Sequence, residues 1–191
     1  MTLGVRFDPV LSAASEGADW AWAELYRDIA PSLLSFLRSQ GCPEPEDCLG
    51  ETFVHLVRGL PNFSGGEAEF RAWAFTVARS RLVDAWRSAG IRPSIPMADP
   101  EDAYVPRHVA DAADQGLLAR SAVEEVLSTL TTDQRMVLVL RVVQQFSVEE
   151  TARIIGKTEG SVKLLQHRAL ASLRRTLASR AQPGPLEGVL G

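Results

Sequence analysis

A chain of 191 residues can bury one sizeable core or two small ones, and a hydrophobic content of 46% is ordinary for a folded protein. Two cysteines cannot build a disulfide scaffold; no apolar run reaches membrane-spanning length, and Met1–Pro9 lacks a basic-then-apolar leader, so a cytoplasmic protein without membrane insertion is expected. The net charge of −4 argues against indiscriminate nucleic-acid binding, yet residues 117–182 carry 10 basic and 6 acidic groups against 8 and 12 in residues 1–87, so local charge favours nucleic acid only in the second half.

In chain order, residues 1–15 read as a flexible N-terminus, and an amphipathic helix starts near Glu16–Asp19. Trp20, Ala23, Leu25, Tyr26, Ile29, Leu33, Leu34 and Leu37 form its stripe. Pro31 either kinks this helix or divides it, and Pro43 and Pro45 end the segment. A second helix runs from about Glu46 to Arg58. Asp47 and Glu51 lie one turn apart on its polar side, which suits a solvated face or a negative docking surface. Cys42, Cys48 and His55 lack an evident fourth metal ligand, so neither a metal nor a cofactor is expected.

After the break at Pro61–Glu69 a third helix covers Phe70–Arg87. Phe70, Trp73, Ala74, Val77, Ala78, Leu82 and Ala85 make its buried stripe. Phe75, Arg79 and Trp86 fall on a different side, where interleaved rings and guanidinium groups suit single-stranded DNA, or where the rings complete the core. Residues 89–116 hold prolines at 93, 96, 100 and 106 and little periodicity, the composition of a linker. The second domain spans residues 117–180: a helix through Leu130, a capping pattern at Thr131–Gln134, and a central buried helix over Met136–Val143 with Arg135 and Arg141 reaching out from its edge. Residues 181–191 read as a flexible tail.

Ser147 and Glu150 form a capping-box pattern before a short helix with Val148, Thr151, Ala152 and Ile155 on one face. Gly156 suits the turn, Thr158 caps the next helix, and Val162, Leu165, Ala169, Leu173 and Leu177 line its inner side. That is the pattern of a helix-turn-helix, whose second helix enters the major groove. No phosphate loop and no nucleophile–base set occur, so no enzyme is expected.

Four blocks in this order carry a family resemblance: Glu24-Leu-Tyr with Leu33–Leu37, Glu46–Phe53, Phe70–Arg87, and Leu130 through Phe146–Ala152 to Gly160–Arg174. Together they resemble the extracytoplasmic-function (group four) sigma factors of the sigma-70 family. The resemblance implies an all-α fold of two small helical domains, region two and region four, joined by a flexible linker. It also implies a core RNA polymerase partner, promoter DNA and an anti-sigma protein. By position, Asp47, Glu51 and Phe53 match the polymerase-binding segment. Arg79, Ser80, Arg81, Asp84 and Arg87 lie in the segment that melts and reads the minus-ten element, with Phe75 and Trp86 as its aromatic candidates. Thr158, Glu159, Ser161, Lys163, Gln166, His167 and Arg168 match the helix that reads the minus-thirty-five element. Gly50 stands where the family often has glutamine, and Ser80 where many members have asparagine. A helix-turn-helix regulator that binds duplex DNA without joining polymerase is the competing reading; the Glu46–Phe53 and Phe70–Arg87 blocks argue against it.

Overall fold

In a computed structural model of the chain, residues 3–91 and 127–181 are described. Among them every regular element is helical, as the sequence pattern requires. Leu25, Ile29, Leu33 and Leu37 recur every four residues and are all buried, which makes α2 (Asp19–Ser39) the spine of the first group. The helix passes through Pro31 without being divided. α3 (Pro45–Gly59) starts with proline in its first turn, where the missing N–H is not needed. α4 (Glu67–Ser88) starts at Gly66, whose N–H donates to Glu69 Oε2 at 3.0 Å. Helices α2, α3 and α4 pack together as a bundle.

Residues 3–15 depart from the expected loose terminus. α1 (Phe7–Ser15) lies on α2 with Phe7, Val10 and Ala14 buried, three and four residues apart. The Phe7 ring meets Phe70 at 5.7 Å, Phe70 meets Phe63 at 5.7 Å, and Phe63 stacks on Trp73 at 5.1 Å. The Glu67 carboxylate accepts from the N–H groups of Leu3 and Gly4 at 3.1 and 3.0 Å, so it ties the terminus to the start of α4. Gly59 admits the Trp73 ring: a Cβ there would sit 2.7 Å from the indole.

In the second group, α5 (Thr132–Leu138) opens on a complete capping box between Thr131 and Gln134. The run expected as one helix to Val143 becomes a π-helical turn over Val139–Val143, which leaves Val142 and Val143 exposed. Arg135 and Arg141 turn inward to backbone carbonyls, Leu127 and Phe146 respectively. α6 (Val148–Ile155) and α7 (Glu159–Ala181) complete the group. The two groups share most of their core, although Leu130, Leu138 and Ala169 form a smaller cluster within the second group. One apolar cluster runs from Phe7 through Phe75 to Phe146, Ile154 and Val162, with α6 lying on α4. The expected linker, apart from residues 89–91, the expected helix before Leu127 and the tail beyond Ala181 fall outside the described residues. No helix among those described is long and apolar enough to cross a membrane.

Candidate functional site

On α3, burial of Cys48, Leu49, Thr52 and Leu56 turns the opposite face outward. Asp47, Gly50, Glu51 and Val54 share that exposed face. Phe53 is half-buried, its ring 4.6 Å from Tyr26. Asp47 and Glu51 also line a groove between α3 and α4, facing Arg81 and Asp84. The structure therefore brings the expected docking carboxylates next to part of the expected minus-ten segment. Burial pushes the Cys48 thiol up to about 12 and raises Cys42 as well, so both stay neutral. No cluster of three or more His, Cys, Asp or Glu side chains that could hold a metal is found among the described residues.

On α4, Asp84 gathers two cations. Arg81 reaches it at 2.9 Å and Arg87 at 3.5 Å, one turn to either side, and Arg81 also donates to the exposed Ser80 hydroxyl at 3.4 Å. Phe75 and Trp86 are not on this surface. Phe75 is 0% exposed, edge-on to Phe36 at 5.4 Å and to Phe146 at 5.0 Å. Trp86 is 4% exposed, and its indole N–H donates to the Gly41 carbonyl at 3.3 Å. Both were candidates for base stacking, and both are core here. The reason is that α4 has packed neighbours on more than one side, so rings off the main stripe meet α2 and the second group instead of water. Arg79 is half-buried too. Burial lowers its pKa, Asp133 of the second group opposes that shift, and its Nε has no hydrogen-bond partner among the described residues.

The helix-turn-helix is built as its sequence signals dictate. Ser147 Oγ accepts from the Glu150 N–H at 3.1 Å, and Glu150 Oε2 accepts from the Ser147 N–H at 2.6 Å. Gly156 takes the left-handed conformation, φ +66°, that ends α6. Thr158 Oγ1 accepts from the Ser161 N–H at 3.2 Å and lies 2.9 Å from the Ser161 hydroxyl, so both side chains serve the start of α7. Val162 and Ala169 face the core. Glu159, Lys163, His167 and Arg168 stay exposed, and Lys163 pairs with Glu159 at 3.6 Å. Gln166 turns the other way: its Oε1 accepts from Arg141 Nε at 3.2 Å. Two residues outside the sequence reading come forward. Leu164 is 50% exposed between Lys163 and His167, where an apolar side chain can meet a thymine methyl in a major groove. Its place next to the outward Lys163 was the available signal. Arg71, on α4, reaches the second group, and no sequence pattern marks it.

The sigma-70 region 2 family matches residues 25–91, and the sigma-70 region 4 family matches residues 120–173. Similar proteins include the ECF RNA polymerase sigma factor BldN of Streptomyces coelicolor, 31% identical over 93% of this chain and 68% of the relative. SigD of Mycobacterium tuberculosis is 31% identical over 90% and 84%. SigF of Caulobacter vibrioides is 34% identical over 71% and 73%. Two solved structures share the fold at 23% identity. They are CnrH in complex with the cytosolic domain of CnrY (TM-score 0.66, 89% of this chain and 96% of that one) and the sigma factor RpoE with the anti-sigma factor NepR from Bartonella quintana (TM-score 0.63, 82% and 96%).

Proposed function

The chain belongs to the extracytoplasmic-function (group four) sigma factors of the sigma-70 family, which direct transcription initiation with RNA polymerase, and from that premise we propose how its residues divide the work. It acts in the cytoplasm, without a cofactor, as the specificity subunit of an enzyme whose core supplies the phosphoryl-transfer chemistry. Residues 16–88 act as region two and residues 117–180 as region four.

Asp47 and Glu51 present the negative face of α3 to core polymerase, with Phe53 bracing that face against Tyr26. Ser80, Arg81, Asp84 and Arg87 form the minus-ten surface. The Asp84 carboxylate holds one guanidinium group a turn to either side of it, so both approach a single strand already oriented. Arg79 joins that surface only when it is uncovered. Trapping unstacked bases there drives strand opening by binding energy, with no nucleotide hydrolysis.

On α7, Lys163 and Arg168 set register on phosphates while Glu159, Leu164 and His167 face base edges. Thr158 and Ser161 hold the helix start, whose N–H groups face the backbone. The observation that carries this reading is the exposed row Lys163, Leu164, His167 and Arg168 on a helix fixed by Val162 and Ala169, in a chain that also holds region two. Two solved relatives are complexes, one of them with an anti-sigma factor, and by that likeness an anti-sigma protein is proposed as a further partner.

Pull-down with core polymerase tests the assignment. The full chain should be retained, and the Asp47→Ala/Glu51→Ala double variant should lose most retention while keeping its helicity. Equal retention of both would remove α3 from the polymerase interface.

A further inference from the structure

The two cysteines of the chain meet across the turn between α2 and α3. Each is held from its own side. The Cys42 N–H donates to the Leu37 carbonyl at 3.1 Å, and Gly41 before it takes the left-handed conformation at φ +71°. The Trp86 indole N–H fixes the Gly41 carbonyl from α4. The Cys48 N–H donates to the Glu44 carbonyl at 3.0 Å in the first turn of α3. Two sulfurs anchored in contact are arranged for a reaction with each other.

The contact between them is directional. It favours charge on Cys42 and disfavours it on Cys48, so the Cys48 thiol is the donor and the Cys42 sulfur the acceptor. The Glu44 N–H also donates to the Cys42 sulfur. Cys42 is half-buried and Cys48 is 4% exposed. A reachable sulfur with two donors aimed at it, beside a buried second thiol, has the asymmetry of an attacking and a resolving cysteine. Burial remains the largest influence on both thiols and keeps them protonated near neutral pH. Glu44 and Glu46 add to it at Cys42, and Glu51 adds to it at Cys48 against Arg81. The pair is therefore slow to react, and its rate follows the thiolate fraction of Cys42.

We propose that Cys42 and Cys48 form a redox modification site that takes a hydroperoxide as its oxidant and closes to an intramolecular disulfide. The Cys42 sulfur attacks one peroxide oxygen and the O–O bond breaks. The OH stays on sulfur as a sulfenic acid, and the Cys42 proton passes to the other oxygen, which leaves as an alcohol, or as water from hydrogen peroxide. The Cys48 sulfur then attacks the Cys42 sulfur, the S–O bond breaks, and the hydroxide leaves with the Cys48 proton as water. The two sulfurs lose two electrons in all, and the peroxide gains them. In a reducing compartment such a bridge is transient, as a signal requires. Closing it draws the Gly41–Glu44 turn against the first turn of α3, where Asp47 lies next to Cys48 in the same groove. A carboxylate assigned to polymerase moves with it, so core binding should weaken; that consequence alone rests on the sigma-factor reading above.

The test uses the full chain with hydrogen peroxide, and its Cys42→Ser and Cys48→Ala variants, the second of which keeps an apolar group in the core. The chain has two cysteines, so intact mass and a non-reducing peptide map identify the bridge directly. The wild type should lose two hydrogens, stay monomeric and return to the dithiol with dithiothreitol. Oxidation should quicken about ten-fold per pH unit between about pH 7 and pH 8, as the thiolate fraction does. C48A should stop at a Cys42 sulfenic acid that dimedone captures, and C42S should not react; if C48A does not fold, the wild type and C42S decide. The oxidised wild type should bind core polymerase several-fold more weakly, with recovery on reduction. Thiols that survive peroxide, linked dimers in place of the internal bridge, or dimedone on Cys48 would overturn the site. A bridge with unchanged core affinity would overturn its effect on docking. Failure of the reduced chain to bind core would overturn the sigma reading instead, with the mass spectra still deciding the thiol chemistry.

Discussion

Arg141 Nε donates to Gln166 Oε1 at 3.2 Å, so a side chain that the helix-turn-helix pattern assigns to base reading is tied into its own fold. The same guanidinium holds the Phe146 carbonyl, so one residue braces both the recognition helix and the loop that leads into α6. His167, the next residue along, is exposed. The two substitutions should therefore separate. Gln166→Ala should lower stability by about 1 kcal/mol, because the half-buried Arg141 loses a partner, and should weaken all promoters alike. His167→Ala should leave the melting temperature unchanged and alter promoter preference. Thermal melts and a promoter-selection assay on the two variants check this.

Phe7 belongs to a segment that lies outside the region 2 match yet is 2% exposed against Phe70. Phe7→Ala should cost about 3–5 kcal/mol, the range for truncating a buried aromatic. Urea unfolding should show a lower midpoint with little change in slope. An unshifted midpoint would mean that α1 contributes no stability to the bundle.

Acid should loosen the start of α6. Burial opposes the charge of Glu150, but the Ser147 N–H and hydroxyl, Arg153 and Arg71 outweigh it and hold the carboxyl below its ordinary 4.5. A carboxyl depressed by folding stabilises the folded state above its unfolded value, and that contribution fades as pH falls through the folded value. Wild-type stability should thus fall from about pH 4.5 downward more steeply than that of Glu150→Gln. Melting temperatures across pH 7 to 3 compare the two.

Gly50 sits mid-helix on the exposed face of α3, and a Cβ there would meet nothing within 4 Å. Gly50→Ala should stabilise the chain by about 1 kcal/mol through helix propensity alone. If close approach of polymerase requires the glycine, the same variant will bind core more weakly despite melting higher. Differential scanning calorimetry and core-binding titrations read the two effects separately.

What the sequence disclosed followed the range of each interaction. The Ser147–Glu150 and Thr131–Gln134 boxes and the left-handed Gly156 are local, made within a few residues, and each stands where its pattern predicts. The sides of Phe75 and Trp86 depend on what packs there, which periodicity cannot supply, so two rings offered to DNA belong to the core. α1 was legible in principle, since Phe7, Val10, Leu11 and Ala14 keep helical spacing. Pro9 falls in its first turn, where proline is tolerated. The bond from Arg71 to the Gln144 carbonyl had no sequence signal at all. It needs a π turn and a left-handed Gln145, neither of which residue type dictates.

The central claim is that promoter recognition and opening by this chain depend on polymerase. Permanganate footprinting of one promoter, with the chain alone, core alone and the two combined, measures it most directly. The account predicts reactive, unpaired thymines around the minus-ten element only in the combined sample, diminished when Arg81 and Arg87 are both replaced by alanine. A minus-thirty-five footprint as strong from the chain alone as from the mixture, with no reactive thymines in either, would contradict it and return the chain to the class of duplex-binding regulators.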